Sequence, residues 1–112
     1  MREIKFQAWD LDAEQMYNWE SIKQLFHEHL DHPRVKVRQY TGLKDKNGRM
    51  IYDRDVYHQG DPNILYVVEH KGASFVGKQI RSGSYAGLEH WRDRIEVIGD
   101  VFRNPELLED TK

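Results

Sequence analysis

The sequence predicts a mainly β fold: a small barrel of short strands, with one inserted helix near residues 19–31 and a short C-terminal helical turn. Three observations predict it. Apolar and polar residues alternate over several short runs, the period of a half-buried strand. Turn signals such as "DKNG", "GDPN" and "KGA" separate those runs at short intervals. Only one stretch, from Trp19 onward, changes to helical spacing. The 112 residues suffice for one domain, spanning residues 1–112, with a core that needs no cross-links.

The elements follow in order. Ile4, Phe6 and Ala8 alternate with Glu3, Lys5 and Gln7, which marks the first strand. Asp10 to Gln15 break the pattern, and Met16-Tyr17 begin a short return strand. Trp19, Ile22, Phe26 and Leu30, with Leu25 beside them, form one apolar stripe of a helix. Asn18 caps its start, with Ser21 and Gln24 as an alternative capping box one turn later. His32 precedes Pro33, whose ring disfavours helical backbone in the residue before it, so the helix ends there. Val35, Val37 and Gln39 open the next strand, with Lys36 and Arg38 on its opposite face. Asn47-Gly48 is the pair that tight hairpin turns prefer, because both residues tolerate positive φ. Met50 to Tyr52 and Val56-Tyr57 are short strands around Asp53-Arg54-Asp55. Ile64 to His70 is the strongest strand, rich in β-branched and aromatic residues. Lys71-Gly72-Ala73 turn it, and Ser74 to Val76 return. Residues 77–94 are the least regular, and Ser82 to Gly87 read as a flexible loop. Ile95 to Phe102 form a last strand bent at Gly99. Asn104 then caps a terminal turn opened by Pro105.

Composition excludes several function classes. There are no cysteines, so disulfides and thiolate metal sites are absent, as suits a reducing cytosol. Met1 runs directly into "REIKFQAWD", without the apolar run of a signal peptide or membrane span, so no membrane partner is expected. The formal charge of -2 sets up no global field for nucleic acid, although protonating all six histidines would make it -2 + 6 = +4.

Few residues have the spacing of a catalytic or metal site. His27, His29 and His32 cluster with Glu28 and Asp31, which raises zinc. On a helix His27 and His29 lie about 200° apart, and His29 with His32 supplies only two ligands. A solvated helix end is the better reading, since cationic histidine suits the negative end of the dipole. Asp10 with Asp12, and Asp53 with Asp55, are D-x-D pairs that share a face in a strand and would suit a divalent cation or an acid–base pair. Both adjoin turn signals, where aspartate bonds nearby amides instead. Gly83 to Gly87, "GSYAG", has Tyr85 where a hydrolase elbow needs serine. No catalytic residue, metal site or cofactor is therefore expected, and a metal-dependent enzyme is the weakest functional reading.

Three blocks resemble the YopX-like family of bacteriophage and prophage proteins: "MREIKFQAWD", "QYTGLKDKNGRMIY" followed by "DRDV", and "IEVIGDVFRNPELL". They come in the family's order and cover a little over a third of the chain. The resemblance implies a small SH3-like β-barrel with an added helix, a phage origin and a place in the cytoplasm of a bacterial host. It implies no catalytic residues, because the family has no established activity. The family usually has glutamate, glycine and aspartate where this chain has Asp53, Arg54 and Asp55. Glycine there implies positive φ, which Arg54 adopts at a cost of about 1 kcal/mol. Asp100 and Arg103 also stand where asparagine and an acid are usual.

The expected function is a non-enzymatic protein-binding module whose partner is a host or phage protein, with self-association as a homo-oligomer also compatible. The expected surface is Lys78, Arg81, Tyr85, Trp91 and Arg92, in the variable segment from Gly77 to Arg94. Tyrosine, tryptophan and arginine dominate binding energy at interfaces. The alternative is a nucleic-acid-binding barrel. Lys71, Lys78, Arg81, Arg92 and Arg94 interleave with Phe75, Tyr85 and Trp91, and basic groups hold phosphates while aromatic faces stack bases.

Overall fold

The computed structural model describes residues 5–108; within them, the side chains of Leu25, His27 and His29 lie outside the description. The fold is mainly β, as the alternating runs require, and its two sheets curl as a half-barrel. β1 (Phe6–Asp10) and β2 (Gln15–Tyr17) form the first hairpin. Between them the Asp10 carboxylate accepts from the amides of Asp12 (2.9 Å) and Ala13 (3.0 Å), which is the turn role expected of this D-x-D pair.

Asn18 accepts from the Ser21 amide at 3.0 Å and so caps α1 (Trp19–Ile22). The single expected helix is broken. A 3-10 turn, Lys23–Leu25, separates α1 from α2 (Phe26–Asp31). With that break both Trp19 and Phe26 meet Phe6, at ring distances of 5.8 and 4.7 Å, and pack edge-on to each other at 5.3 Å. Aromatic packing on β1 thus overrides a continuous helical ladder. The His27 and His29 side chains of the expected cluster lie outside the described residues.

β3 (Val35–Lys44) is the longest strand. Its Val35–Gln39 half pairs with β1, and from Tyr40 onward it pairs with β4 (Met50–Tyr52) on the opposite edge, across a bulge between Tyr40 and Lys44. The first sheet therefore runs β2-β1-β3-β4. The hairpin turn differs from the expected form. Only Gly48 has positive φ (83°), and the Gly48 amide donates to Asp45 C=O at 3.0 Å. Asp45 itself is buried. Its carboxylate accepts from the amides of Asn47, Arg49 and Val97, each at 2.9 Å, so the turn is tied to the last strand.

The second sheet runs β8-β7-β6-β5-β9. It comprises β5 (Asp55–His58), β6 (Tyr66–Lys71), β7 (Ser74–Gln79), β8 (Tyr85–Gly87) and β9 (Glu96–Asp100). The segment expected to be a loop is ordered into β8, then α3 (Leu88–Trp91) and a 3-10 turn, Arg92–Arg94. Pairing with β7 supplies the order that its own glycine-rich composition does not. The last strand is shorter than expected, and a register shift opposite Val56-Tyr57 places its bend at Ile98. Asn104 precedes the terminal 3-10 turn Pro105–Leu108, but its side chain accepts from the Asp100 amide at 3.2 Å instead of capping that turn. Three of the four outer strands, β2, β4 and β8, have only three residues each.

The core joins the sheets. Ile51 of β4 packs with Tyr57, Val68, Leu88, Ile95 and Val97, and Leu43, Tyr66, Phe75 and Trp91 close around them. Each such aliphatic side chain contributes about 1.5–3 kcal/mol. Tyr57 is fully buried and stacks on Tyr66 at 5.3 Å. Gly77 makes room for it, because a Cβ at Gly77 would overlap the Tyr57 hydroxyl. Among the described residues, no helix is long and apolar enough to cross a membrane.

Candidate functional site

The most concentrated polar chemistry lies inside the molecule, at Arg38. The alternation of β3 placed Arg38 with Lys36 on the strand's polar face, yet Arg38 is 3% exposed. Its guanidinium is bound to the Asp55 carboxylate, donates to Gln7 Oε1 from Nε (2.9 Å) and Nη2 (2.6 Å), and lies 3.7 Å from Asp100. It also sits 5.1 Å from the centre of the Tyr52 ring. Asp55 accepts from the Tyr52 amide at 2.7 Å, and Asp100 from Arg103 Nη2 at 2.7 Å. Burial pushes the Asp55 carboxyl above its ordinary value, outweighing the Arg38 cation beside it. The Asp53–Asp55 pair is therefore split in role. Asp55 is bound inside and Asp53 faces a cleft. The cluster joins β3 of the first sheet to β5 and β9 of the second, and every carboxylate in it has a cation or amide. That makes it a structural pin rather than a reactive group. Sequence reasoning did not find it, because an arginine at a polar position of an alternating strand signals solvent.

The expected surface residues are distributed over the outer end of the second sheet. Lys78 on β7 lies directly across from Tyr85 on β8. Tyr85 is 47% exposed, and the Lys71 ammonium lies 3.9 Å from its ring centre. Arg81 is exposed in the turn between β7 and β8, and Arg92 is exposed in the 3-10 turn after α3. Trp91 is half-buried. It packs against the core, with His90 edge-on at 5.1 Å and Arg94 at 5.9 Å. Tyr85, Lys78 and Arg81 thus share one edge, whereas Trp91 ends α3 and Arg92 follows it.

That edge is open to a further strand. β8 pairs only with β7 among the described residues. Ser84 C=O accepts from the Gln79 amide at 2.8 Å, which sets the phase of the ladder. Ala86 then turns its backbone groups toward Gly77, and Tyr85 turns its own outward. β8 ends opposite Val76, so Ser74 and Phe75 of β7 extend past it. Beside them lies a cleft of about 780 Å³, lined by Leu43, Phe75, Val76, Leu88, Glu89 and His90 among others.

Comparison with known proteins follows the fold. A family model described as YopX protein matches residues 20–109. The crystal structure of protein EF1440 from Enterococcus faecalis superposes with a TM-score of 0.71 at 21% identity, over 97% of this chain and 100% of that one. The crystal structure of protein yopX from Bacillus subtilis superposes with a TM-score of 0.57 at 23% identity, over 100% of both chains. At these identities the likeness is one of fold. No curated protein matches the chain.

Proposed function

The chain belongs to the YopX protein family, and from that premise we propose that it is a small phage-encoded accessory protein of the host cytoplasm that works by binding another protein, without catalysis. The observation that supports this reading is the β8 edge. Tyr85 directs its backbone N–H and C=O outward, and its exposed ring stands over them, while Gly87 C=O is taken by the start of α3. Such an edge accepts an extended segment as an added strand, with main-chain bonds for affinity and adjacent side chains for selectivity. Lys71, Lys78 and Arg81 flank the edge, against Glu69 and Glu89 nearby, so the segment it suits is acidic. The buried carboxylates of Asp55 and Asp100 support the absence of catalysis, since their charges are already matched by Arg38 and Arg103.

The test is affinity capture from phage-infected host cells with wild type, Tyr85→Ala and Lys78→Glu, alongside thermal melting of each protein. The expected result is a protein captured by wild type and lost from both variants, with melting midpoints unchanged. A partner retained by both variants overturns the surface. Capture of single-stranded nucleic acid, released steeply by salt, overturns the protein reading in favour of the nucleic-acid one.

A further inference from the structure

A cleft of about 620 Å³ lies where the β1–β2 turn meets the segment after β9. Its apolar walls are Trp9, Leu11, Phe102 and Pro105. Trp9 is mostly buried and stacks on Phe102 with ring centres 6.2 Å apart, so Leu11, Phe102 and the exposed Pro105 offer most of the contact surface. The cleft has no strand edge. β1 is paired on both sides, Trp9 with Met16 of β2 and with Lys36 of β3. The Phe102 and Arg103 amides both donate to the Asp100 carboxylate, at 3.0 and 2.8 Å. A side-chain donor remains. The Trp9 indole N–H has no partner among the described residues, and it is not one of their polar atoms sealed from solvent. The rim is acidic. Glu14 and Glu106 are exposed, and neither has a cation partner among the described residues. Arg103 also lines the cleft, but Asp100 holds it through Nε at 2.8 Å and Nη2 at 2.7 Å, so its charge is matched. Glu14 sits at φ 54°, where glycine would fit without strain.

We propose that this cleft binds a proline-rich segment of another protein in the polyproline II conformation, with a flanking basic residue set against Glu14 and Glu106. A guest strand would find no edge to pair with here. A polyproline II segment needs none. Its backbone makes no internal bonds, and its carbonyls stay free to accept, here from the Trp9 N–H. Its rings pack on aromatic and prolyl surface, and its shape is set before binding, so little freedom is lost. Charge fixes the flanking residue, since two unmatched carboxylates attract a cation and repel an acid. The cleft uses no residue of the β8 edge, and it selects a basic segment where β8 selects an acidic one. It therefore stands or falls apart from the proposed function.

The experiment is an NMR titration of the full chain with three probe peptides: acetyl-arginyl-hexaproline amide, acetyl-glutamyl-hexaproline amide, and an arginyl probe whose prolines are replaced by glycyl-alanyl repeats. The expected result with the first is a saturable shift of the Trp9 indole N–H and of the Glu14, Phe102 and Glu106 amides. The glutamyl probe is expected to bind about tenfold more weakly, because attraction to two carboxylates becomes repulsion. The glycyl-alanyl probe is expected to cause no saturable shift. Glu14→Gly combined with Glu106→Gln is expected to bring the arginyl and glutamyl probes close to equal affinity. Glycine at position 14 relieves the strained backbone, so this variant is expected to melt no lower than wild type. Equal binding by the glycyl-alanyl probe would assign the cleft to a lone cation and overturn the polyproline reading. An unmoved Trp9 N–H, or equal binding of the arginyl and glutamyl probes to wild type, overturns it without reliance on the variant.

Discussion

The guanidinium of Arg38 is bound to the carboxylate of Asp55, and each side chain is only 2% exposed. Seventeen residues apart in sequence, they fasten the first sheet to the second. Removing one member strands the other. Arg38→Met is expected to lose about 3–5 kcal/mol, because Asp55 then keeps only the Tyr52 amide. Arg38→Lys is expected to be a poor replacement, since an ammonium cannot reproduce the fork that meets both Gln7 and Asp55. Urea unfolding measures both; a loss under about 1 kcal/mol for Arg38→Met would show that the pin is dispensable.

Asp100 predicts an acid-side loss of stability. Burial pushes its carboxyl up, but the Arg103 amide, Arg38 and the Arg103 guanidinium together outweigh burial and hold it below the ordinary value of 3.8. A carboxyl lowered in the folded state stabilises the fold above its unfolded value, and that contribution is lost as pH falls through the lower, folded one. Wild type is therefore expected to exceed Asp100→Asn in stability most at neutral pH, with the gap closing below pH 3.8. A gap that stays constant down to the acid transition contradicts this assignment.

Arg54 combines a left-handed backbone (φ 72°) with a half-exposed side chain. Its backbone is fixed from both sides: its amide donates to Val68 C=O at 2.9 Å and its C=O accepts from Val101 at 3.1 Å. Glycine fits this conformation without strain, though it also loosens the unfolded chain. Arg54→Gly is expected to be neutral or stabilising, and about 1 kcal/mol more stable than Arg54→Ala, which keeps the strain. Denaturant midpoints of the two variants decide it, and equal stability would mean that the strain is negligible.

Gly77→Ala is expected to cost about 1–3 kcal/mol or more, because the new methyl overlaps the buried ring of Tyr57. Tyr57→Phe removes a buried hydroxyl that has no hydrogen-bond partner, and is expected to be neutral or mildly stabilising. In the double variant, part of the Gly77→Ala loss should return. Additive losses in a double-mutant cycle would indicate that the methyl is accommodated elsewhere.

Much of the frame was legible because its causes are local. Ile64 to His70 read as a strand from β-branched and aromatic content and Asn18 as a cap, both within a few residues of their reasons, whereas Arg54 as a positive-φ position followed only from the glycine usual there in the family it resembles. What escaped depended on distant partners. Arg38 is buried because Asp55 and Asp100 arrive from other strands. Asp45 reads as a turn residue, and it is one, but it also holds the Val97 amide 52 residues away. Tyr85 to Gly87 carry little strand character of their own and become β8 through β7. For the expected surface, residue type indicated Tyr85 as exposed, but it did not separate Tyr85 from Trp91, which rests on the core.

The brevity of the outer strands has a kinetic meaning. A long, flat edge is a template on which copies of a protein stack irreversibly. Here β2, β4 and β8 stop after three residues, and the longer β9 is blocked, since Lys46 and Asp45 already occupy Ile95 C=O and the Val97 amide. A guest strand on β8 therefore gains only a few main-chain bonds and must draw its residence time from side chains. The dock proposed at β8 is therefore suited to brief, repeated encounters and poorly suited to permanent assembly.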